Sequence, residues 1–529
     1  MSIWYTWAVM DTHHRSPATA ITELQGTAEQ GRLVLTEVLD RIQAAFPAAA
    51  RRHRLGPGAW LVPLADGDGD GGHHGSMLIA IAPAGRPRDR GNAQLVLSAT
   101  LLGRTGIGEA DATRALGCLD GVPFTGLETD AFTKQLPLLA GLPERMKDKP
   151  LGECAVVLVG PLLSDLVVQA QMLIALGARP EAMTVLEKEY PYKLRSRVEA
   201  HLAGLGIAVS PVADAETALR LHVARVSEPT VVIDDGGHVL PTLMRSAAEL
   251  LPFFRGVVEQ SMAGIEELED VVCPNTDPPV SVPVFSVAQS AVKRGIDAHW
   301  IAETVVRSAR EAMPREGFDG VPALVIGFGT VGHRVAATLR GLRMPVAVHD
   351  TEWRRLVAAH EAGFLTAPDL PALLDGHRPV LIVSATGRTG LGGEDLDFLP
   401  GECFIVSVSG RASEIDVPGL ALRAGQIDEV AGVGARYELP NGPVTVLADG
   451  LPVDVPCGDR VPARQSDLTM AAVVWGACTL ARDASGFAAG AGTGTGVANG
   501  VGSDGARADA SIAESGLVER YYRLYGQDR

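Results

Sequence analysis

The sequence predicts an α/β protein: two Rossmann-like doubly wound parallel-sheet domains, a small N-terminal α+β unit, and a flexible Gly/Ala linker before a C-terminal tail. Three observations carry this reading. Apolar β runs alternate with helical stretches from about Cys154 onward. A second alternation of the same kind begins at Ala323. Within it, Gly327-Phe328-Gly329-Thr330-Val331-Gly332 lies between a β run and a helix.

The first 125 residues form the α+β unit. Leu33, Leu35, Val38, Leu39 and Ile42 recur at helical spacing, which predicts a helix over 21–46 that Pro47 ends. Apolar runs at 60–64, 77–81 and 95–102 read as strands. Asp66, Asp68 and Asp70 alternate with glycines, as at the start of a calcium loop. The twelfth position is Met77, where a bidentate Glu is needed, so a hairpin loop is expected and no metal site is assigned.

The first alternating block has β at 155–159, 183–186 and 231–233, with helices at 166–176 and 192–205. The second has a long helix at 297–313, then β at 323–326, 345–348, 380–383 and 403–408, with helices at 331–340 and 353–361. A helix at 467–481 follows. Residues 484–510 are mostly Gly, Ala, Ser, Thr and Asp, and read as a flexible linker. The tail at 511–529 is helix-prone and carries Tyr521, Tyr522 and Tyr525, which suggests docking, for instance on a second subunit.

With 46 Lys+Arg against 63 Asp+Glu, the net charge is −17. That disfavours nucleic acid and anionic membrane as partners. No apolar run reaches the ~18 residues a spanning helix needs. The N-terminus lacks the basic and apolar regions of a signal peptide. Cys118, Cys154, Cys273, Cys403, Cys457 and Cys478 form no CxxC pair, which argues against zinc and a disulfide frame. A cytoplasmic location is expected.

The glycine turn has the form of a dinucleotide fingerprint. Gly327 permits the tight turn, Gly329 lets backbone approach a pyrophosphate, and Gly332 allows close helix–strand packing. Thr330 and Val331 open the helix. Asp350 ends the next β run, 21 residues past Gly329, where an acid accepts ribose hydroxyls and repels a 2′-phosphate. NAD is the expected cofactor, ahead of NADP; Arg354 and Arg355 argue the other way. A structural turn that has lost its ligand is the alternative.

Several motifs together resemble S-adenosylhomocysteine hydrolase. They are Ile233-Asp234-Asp235-Gly236-Gly237, Leu250-Leu251-Pro252, Arg255-Gly256, the Gly327 turn, and Leu447-Ala448-Asp449-Gly450 before Cys457. The resemblance runs from about Phe132 to Ala481. It implies a substrate-binding domain at 126–285, completed by 466–483, and an NAD domain at 286–450. It also implies permanently bound NAD, transient oxidation of a nucleoside 3′-hydroxyl, and a homo-oligomer, dimer or tetramer. Lys293, Asp297 and Asp235 match the family's redox set. From chemistry alone, Lys293 and Asp297 at i and i+4 share a helical face, and a lysine there can take a hydroxyl proton. A solvated surface pair is the bland alternative. Arg355, Ser261, Thr386, Ser409 and Asp454 complete the implied cofactor set.

Other positions depart from the family. Its first β–α turn carries His, Thr and Glu; here Pro161-Leu162-Leu163-Ser164-Asp165 keeps only an acid, Asp165. Gln260 stands where a carboxylate grips the ribose, Gly410 replaces a histidine, and Ala298 and Asp454 replace asparagines. Asp165, Gln260 and His238 are the candidate substrate contacts. His238 and His299 are either replacement acid–bases or structural histidines. The expected function is an NAD-dependent enzyme acting on a nucleoside-like small molecule, with hydrolysis, elimination or epimerisation as the net outcome. Alternatives are an NAD-loaded binding protein whose catalysis has decayed, or a two-domain dehydrogenase.

Overall fold

The computed structural model describes residues 19–64, 75–83, 93–102, 109–190, 192, 194–271, 282–313, 318, 320–408, 414–430, 433–452, 463–487 and 502–526. The chain divides into two compact units, Met1–Gln135 with Leu162–Gln171 and Lys193–Val209, and the remainder.

The N-terminal sheet is antiparallel and has five strands: β1 (Thr19–Gly26), β2 (His53–Gly56), β3 (Ala59–Pro63), β4 (Ser76–Pro83) and β5 (Ala93–Leu102), in the order β1-β5-β4-β3-β2. The helix expected over 21–46 is in fact two elements. β1 pairs with β5, placing Leu24 opposite Leu95 in the core. Thr27 then opens a helix at Ala28–Ala45 with a capping box: its hydroxyl accepts from Gln30 N at 3.2 Å, and Gln30 Oε1 accepts from Thr27 N at 2.8 Å. The helical periodicity was real from Leu33 onward, and the cap marks its true start. β2 is a mostly exposed edge strand without an apolar pattern. The calcium-like loop at 66–74 lies outside the described residues. Beneath this unit, Arg197 and Glu128 form a buried bidentate pair at 2.8 and 3.1 Å.

A six-stranded sheet follows, made of β6 (Ala155–Gly160), β7 (Met183–Glu187), β8 (Ala208–Pro211), β9 (Thr230–Asp234), β10 (Phe254–Glu259) and β11 (Val284–Ser286). Its order is β11-β10-β9-β6-β7-β8, and its registered pairs are parallel. Every residue of β6, β7 and β9 is buried, as expected for strands covered on both faces.

The last sheet has eight strands: β12 (Ala323–Ile326), β13 (Val346–His349), β14 (Leu365–Thr366), β15 (Leu381–Ser384), β16 (Cys403–Ser407), β17 (Ile427–Val430), β18 (Gly434–Leu439) and β19 (Gly442–Leu447). Its order is β14-β13-β12-β15-β16-β19-β18-β17. Six strands are parallel; β17 and β18 add an antiparallel edge that the sequence reading did not foresee. Both sheets reverse strand order beside their first strand, between β6 and β9 and between β12 and β15. Doubly wound sheets bind ligands at such a reversal, outside the carboxyl ends of the strands.

The helix Ala463–Arg482 packs on β10, where a Cβ at Gly256 would come within 2.9 Å of Leu480. The expected linker at 484–510 is corrected at both ends. Phe487 is buried against Phe285, with ring centroids 5.1 Å apart. Residues Gly502–Glu514 form a helix with Ala508 and Ile512 buried. Its alanines sustain a helix that a composition dominated by neighbouring glycines conceals. Residues 488–501 lie outside the described residues. The tail continues as a helix, Leu517–Tyr525, and contacts its own chain: Trp475 Nε1 donates to Ser511 at 3.0 Å and the Tyr525 hydroxyl to Asp467 at 2.7 Å. Among the described residues, no helix is long and apolar enough to cross a membrane.

His222 bridges two strands of the six-stranded sheet. Its ring nitrogens meet Thr184 at 2.8 Å and Thr230 at 3.0 Å. Burial pushes its pKa down to about 4. The unfolded chain binds this proton near pH 6.5, so the stability tied to the neutral ring is complete above that pH and lost as pH falls toward 4. We expect His222→Gln to flatten this part of the urea-stability profile, by up to roughly 3 kcal/mol across the window.

Candidate active site

The dinucleotide turn begins where β12 ends. Gly327 has φ +93°, and a Cβ there would lie 2.7 Å from Ala385 O across the strand reversal. A Cβ at Gly332 would come 1.9 Å from Gly327 O, so the helix Thr330–Gly341 can approach the turn only with glycine. Gly329 differs: a Cβ there would meet only the Arg355 side chain, at 3.6 Å. Its open face, at the helix N-terminus shared by Thr330 and Val331, fits a pyrophosphate.

Asp350 follows β13 and is buried. It accepts from Phe328 N at 2.7 Å and from Glu352 N at 2.8 Å. It therefore fixes the glycine turn as well as standing where ribose hydroxyls would arrive. Arg355 lies between two acids, 2.8 Å from Glu352 and 3.9 Å from Asp350. Those carboxylates compete with any 2′-phosphate, which favours NAD.

Thr386 follows β15 and is held by a residue that sequence reasoning missed. Glu414, fully buried, accepts from Thr386 N and Gly387 N at 2.7 Å, from Val408 N at 2.8 Å and from the Ser407 hydroxyl at 2.9 Å. One carboxylate thus ties the ends of β15 and β16 together. Ser409, Gly410 and Asp454 lie outside the described residues.

The second reactive edge belongs to the six-stranded sheet. Asp234 ends β9 and accepts from His238 N at 2.9 Å and Val239 N at 2.7 Å, starting the helix Val239–Ser246. Gly236 and Gly237 have φ of +122° and +67°, which makes a tight turn directly after Asp235. Glu259 ends β10 and is 0% exposed. It accepts from Gly236 N at 3.2 Å, Gly237 N at 3.0 Å, Ser261 N at 2.8 Å and the Ser261 hydroxyl at 3.1 Å. Burial and the neighbouring Asp234 push the Glu259 carboxyl well above its ordinary range, while the N–H donors pull it back.

Lys188, just past β7, also escaped the sequence reading. Its ammonium lies 3.1 Å from Asp235 Oδ2, with both side chains under 10% exposed, and 5.3 Å from the Tyr190 ring centre. The His238 ring lies over Gly236, since a Cβ there would come 2.8 Å from Nε2. Lys188, Asp235 and His238 therefore converge at one strand edge.

Gln260 donates its backbone N–H to Asp234 O at 3.1 Å. Ser261, assigned to the cofactor, has its hydroxyl within the turn, between Glu259 and Gly264 N. Asp165 lies in the first turn of the helix Ser164–Ala175, directly beyond β6. His299 is exposed and packs edge-on against Trp300.

Lys293 and Asp297 do share a face, but on a π-helical turn spanning Lys293–Asp297 rather than an α-helical one. Ala298 N bonds back to Lys293 O across it. Lys293 Nζ contacts Asp297 Oδ2, and the Asp297 side chain is only 6% exposed. A solvated surface pair does not bury its acid, and π turns inserted in helices often mark working sites. The two strand edges approach each other: Arg388, in the loop after β15, lies 3.5 Å from Glu266, in the helix after β10.

Two doubly wound sheets, one carrying a glycine turn with its acid and the other a buried acid–base edge, define an NAD-binding α/β protein of the two-domain kind. The adenosylhomocysteinase of Gloeothece citriformis is 24% identical over 350 residues, 64% of this chain and 78% of that one. That of Thermosynechococcus vestitus is 24% identical over 370 residues, 68% and 83% of the two chains. The S-inosyl-L-homocysteine hydrolase of Methanopyrus kandleri is 24% identical over 346 residues, 64% and 78%. The chain is thus similar to adenosylhomocysteinases over about two thirds of its length, at a distance that marks it as divergent from them. Matches to other adenosylhomocysteinases are shorter, spanning 66% of the Thermococcus kodakarensis protein and 58% of the Nostoc protein. No family model matches the chain. Among solved structures, phosphoglycerate oxidoreductase from Vibrio cholerae aligns with TM-score 0.34 and 12% identity, over 58% of this chain and 96% of that one.

Two glycine substitutions should separate binding from folding. Gly329→Val has room to fold and should purify without NAD. Gly332→Ala drives a Cβ into Gly327 O and should lose stability as well, by about 1–3 kcal/mol. Cofactor content by absorbance after denaturation, beside thermal unfolding, reads both.

Proposed function

We propose that this chain is an NAD-dependent enzyme that transiently oxidises the 3′-hydroxyl of a nucleoside-like substrate, with hydrolysis, elimination or epimerisation as the net outcome. The observation that carries this reading is the Lys293–Asp297 pair: a lysine held by a buried carboxylate on a π turn. NAD, when bound, would accept the hydride. Lys293, as the neutral amine, would take the hydroxyl proton, and the Asp297 carboxylate would hold the ammonium that results. Asp235 would remove the proton from the neighbouring carbon, which becomes acidic once the ketone forms. Lys188 balances the Asp235 charge at 3.1 Å. The six-stranded sheet would supply the substrate side and the eight-stranded sheet the cofactor side. Closure of the two edges would exclude water and retain the ketone.

The first turn favours a changed substrate, or a second reading in which catalysis is lost and NAD binding remains. Leu162 and Leu163 are buried there, where the family places polar contacts for adenosine. A nucleoside edge facing them would lose hydrogen-bond partners. The resemblance also supports a homo-oligomer, and the free thiols of Cys118, Cys154, Cys403 and Cys478 suit a reducing cytoplasm.

Absorbance at the NADH band, after adding adenosine and related nucleosides to the purified protein, tests the reading. Reduction of bound NAD supports it; full NAD occupancy with no reduction by any candidate supports the binding protein instead. Lys293→Ala should lower reduction by about 10²–10⁴ while NAD stays bound. Asp235→Asn should slow solvent exchange of the adjacent proton more than hydride transfer. Pro161 and Gly410 stand in place of the family's histidines, so hydrolysis of S-adenosylhomocysteine itself should be poor. Turnover of that compound at a rate matching the best substrate would overturn this last expectation.

A further inference from the structure

We infer that the C-terminal segment Gly502–Tyr525 is a positioning element for the Lys293–Asp297 turn, acting within its own chain, with Asp509 as its principal residue. The inference rests on the catalytic reading of Lys293 and Asp297 given above. It begins from an accounting of hydrogen bonds. The helical run that carries the pair starts at Ala291, continues through the π turn and extends to Ala312. Its first N–H groups have no partner inside the helix. Ser290 caps one of them: its hydroxyl accepts from Lys293 N at 3.2 Å. Another is taken from far along the sequence, where Asp509 Oδ1 accepts from Ala291 N at 2.7 Å. An acid at this end also complements the helix dipole.

The helix bearing Asp509 is itself anchored. Ser511 takes the Trp475 indole N–H at 3.0 Å, and Ser515 O accepts from Arg145. A Cβ at Gly505 would come within 2.9 Å of Gln289, so the helix lies close against the residues that lead into the Lys293 segment. The next helix is tied by Asp467, which is buried and accepts from the Tyr525 hydroxyl at 2.7 Å, Leu138 N at 2.8 Å and Leu139 N at 2.9 Å. Tyr521 packs on Tyr525 with centroids 4.9 Å apart. The tail thus touches the segment at its start, through Asp509 and through Gly505. A π turn is an irregular insertion, and its geometry persists only where the surroundings hold it.

The test uses the full-length, NAD-loaded protein. Asp509→Ala and Asp509→Asn are compared by hydrogen–deuterium exchange over residues 287–300, and by the rate at which adenosine reduces the bound NAD. Loss of a cap is expected to speed exchange at 291–297 about fivefold in Asp509→Ala. Asp509→Asn, whose amide oxygen still accepts, should return most of the protection. NAD content should stay constant, and the maximal reduction rate should fall in the alanine variant without a change in half-saturating adenosine. Wild-type exchange in Asp509→Ala overturns the proposal. If Asp509→Ala does not fold, exchange in Asp509→Ser, which keeps a shorter acceptor, decides by the same criterion. Failure of adenosine and every related nucleoside to reduce NAD even in the wild type removes the catalytic reading, while the exchange comparison still decides the positioning role.

Discussion

Two buried carboxylates hold the site, one on each sheet, and they occupy equivalent places. Counted from the first strand of each doubly wound unit, β9 and β15 are the fourth strands and β10 and β16 the fifth. Glu259 ends β10 and gathers the N–H groups of the turn after β9. Glu414 follows β16 and gathers those of the turn after β15. Removing a carboxylate from water is costly, and only several short, charge-assisted bonds offset it. Each of these acids has at least four such donors. The glycines with positive φ can then hold their turns, and Asp235 and Thr386 inherit their positions.

This arrangement explains which parts of the site could be read from sequence. The fingerprint Gly327, Gly329, Gly332 and Asp350 is legible because one strand–turn–helix and the next strand contain all of it. The parallel strands are legible because burial on both faces produces continuous apolar runs. Lys188 meets Asp235 across 47 residues, and Glu414 meets Thr386 across 28. No local pattern reports a partner at such a distance. Glu259 stood in plain view beside Gln260 and Ser261, yet its role is visible only when β9 and β10 are paired. Lys293 and Asp297 were legible as a pair, whereas the π turn that presents them has no residue signature.

The errors in the elements have equally local causes. β1 and the helix after it blend into one apolar stretch unless the Thr27–Gln30 capping box is given weight over periodicity. The helix Gly502–Glu514 vanishes into a composition average because glycine-rich residues precede it. In both cases one side-chain contact, Gln30 with Thr27 or Asp509 with Ala291, marks the element better than its average content does.

The uneven departures from the superfamily acquire a physical meaning from these contacts. Hydride transfer needs few groups: a cofactor turn, a base and an orienting acid. On the proposed reading, those lie on a glycine turn and a π turn held by hydrogen bonds of their own, so a change of substrate would leave them intact. Substrate choice would, on the same reading, depend instead on the residues of the first β–α turn, where Leu162 and Leu163 stand in place of polar ones. An apolar wall disfavours a polar edge by leaving it without partners, but only by roughly 10². Lys188 adds a buried cation beside Asp235, on the same sheet edge. On the proposed reading, this chain keeps the oxidation step and rebuilds what surrounds the carbon next to it. The identity of the substrate is therefore to be sought in compounds that keep the vicinal sugar hydroxyls and differ from adenosine at the base or at the 5′ position.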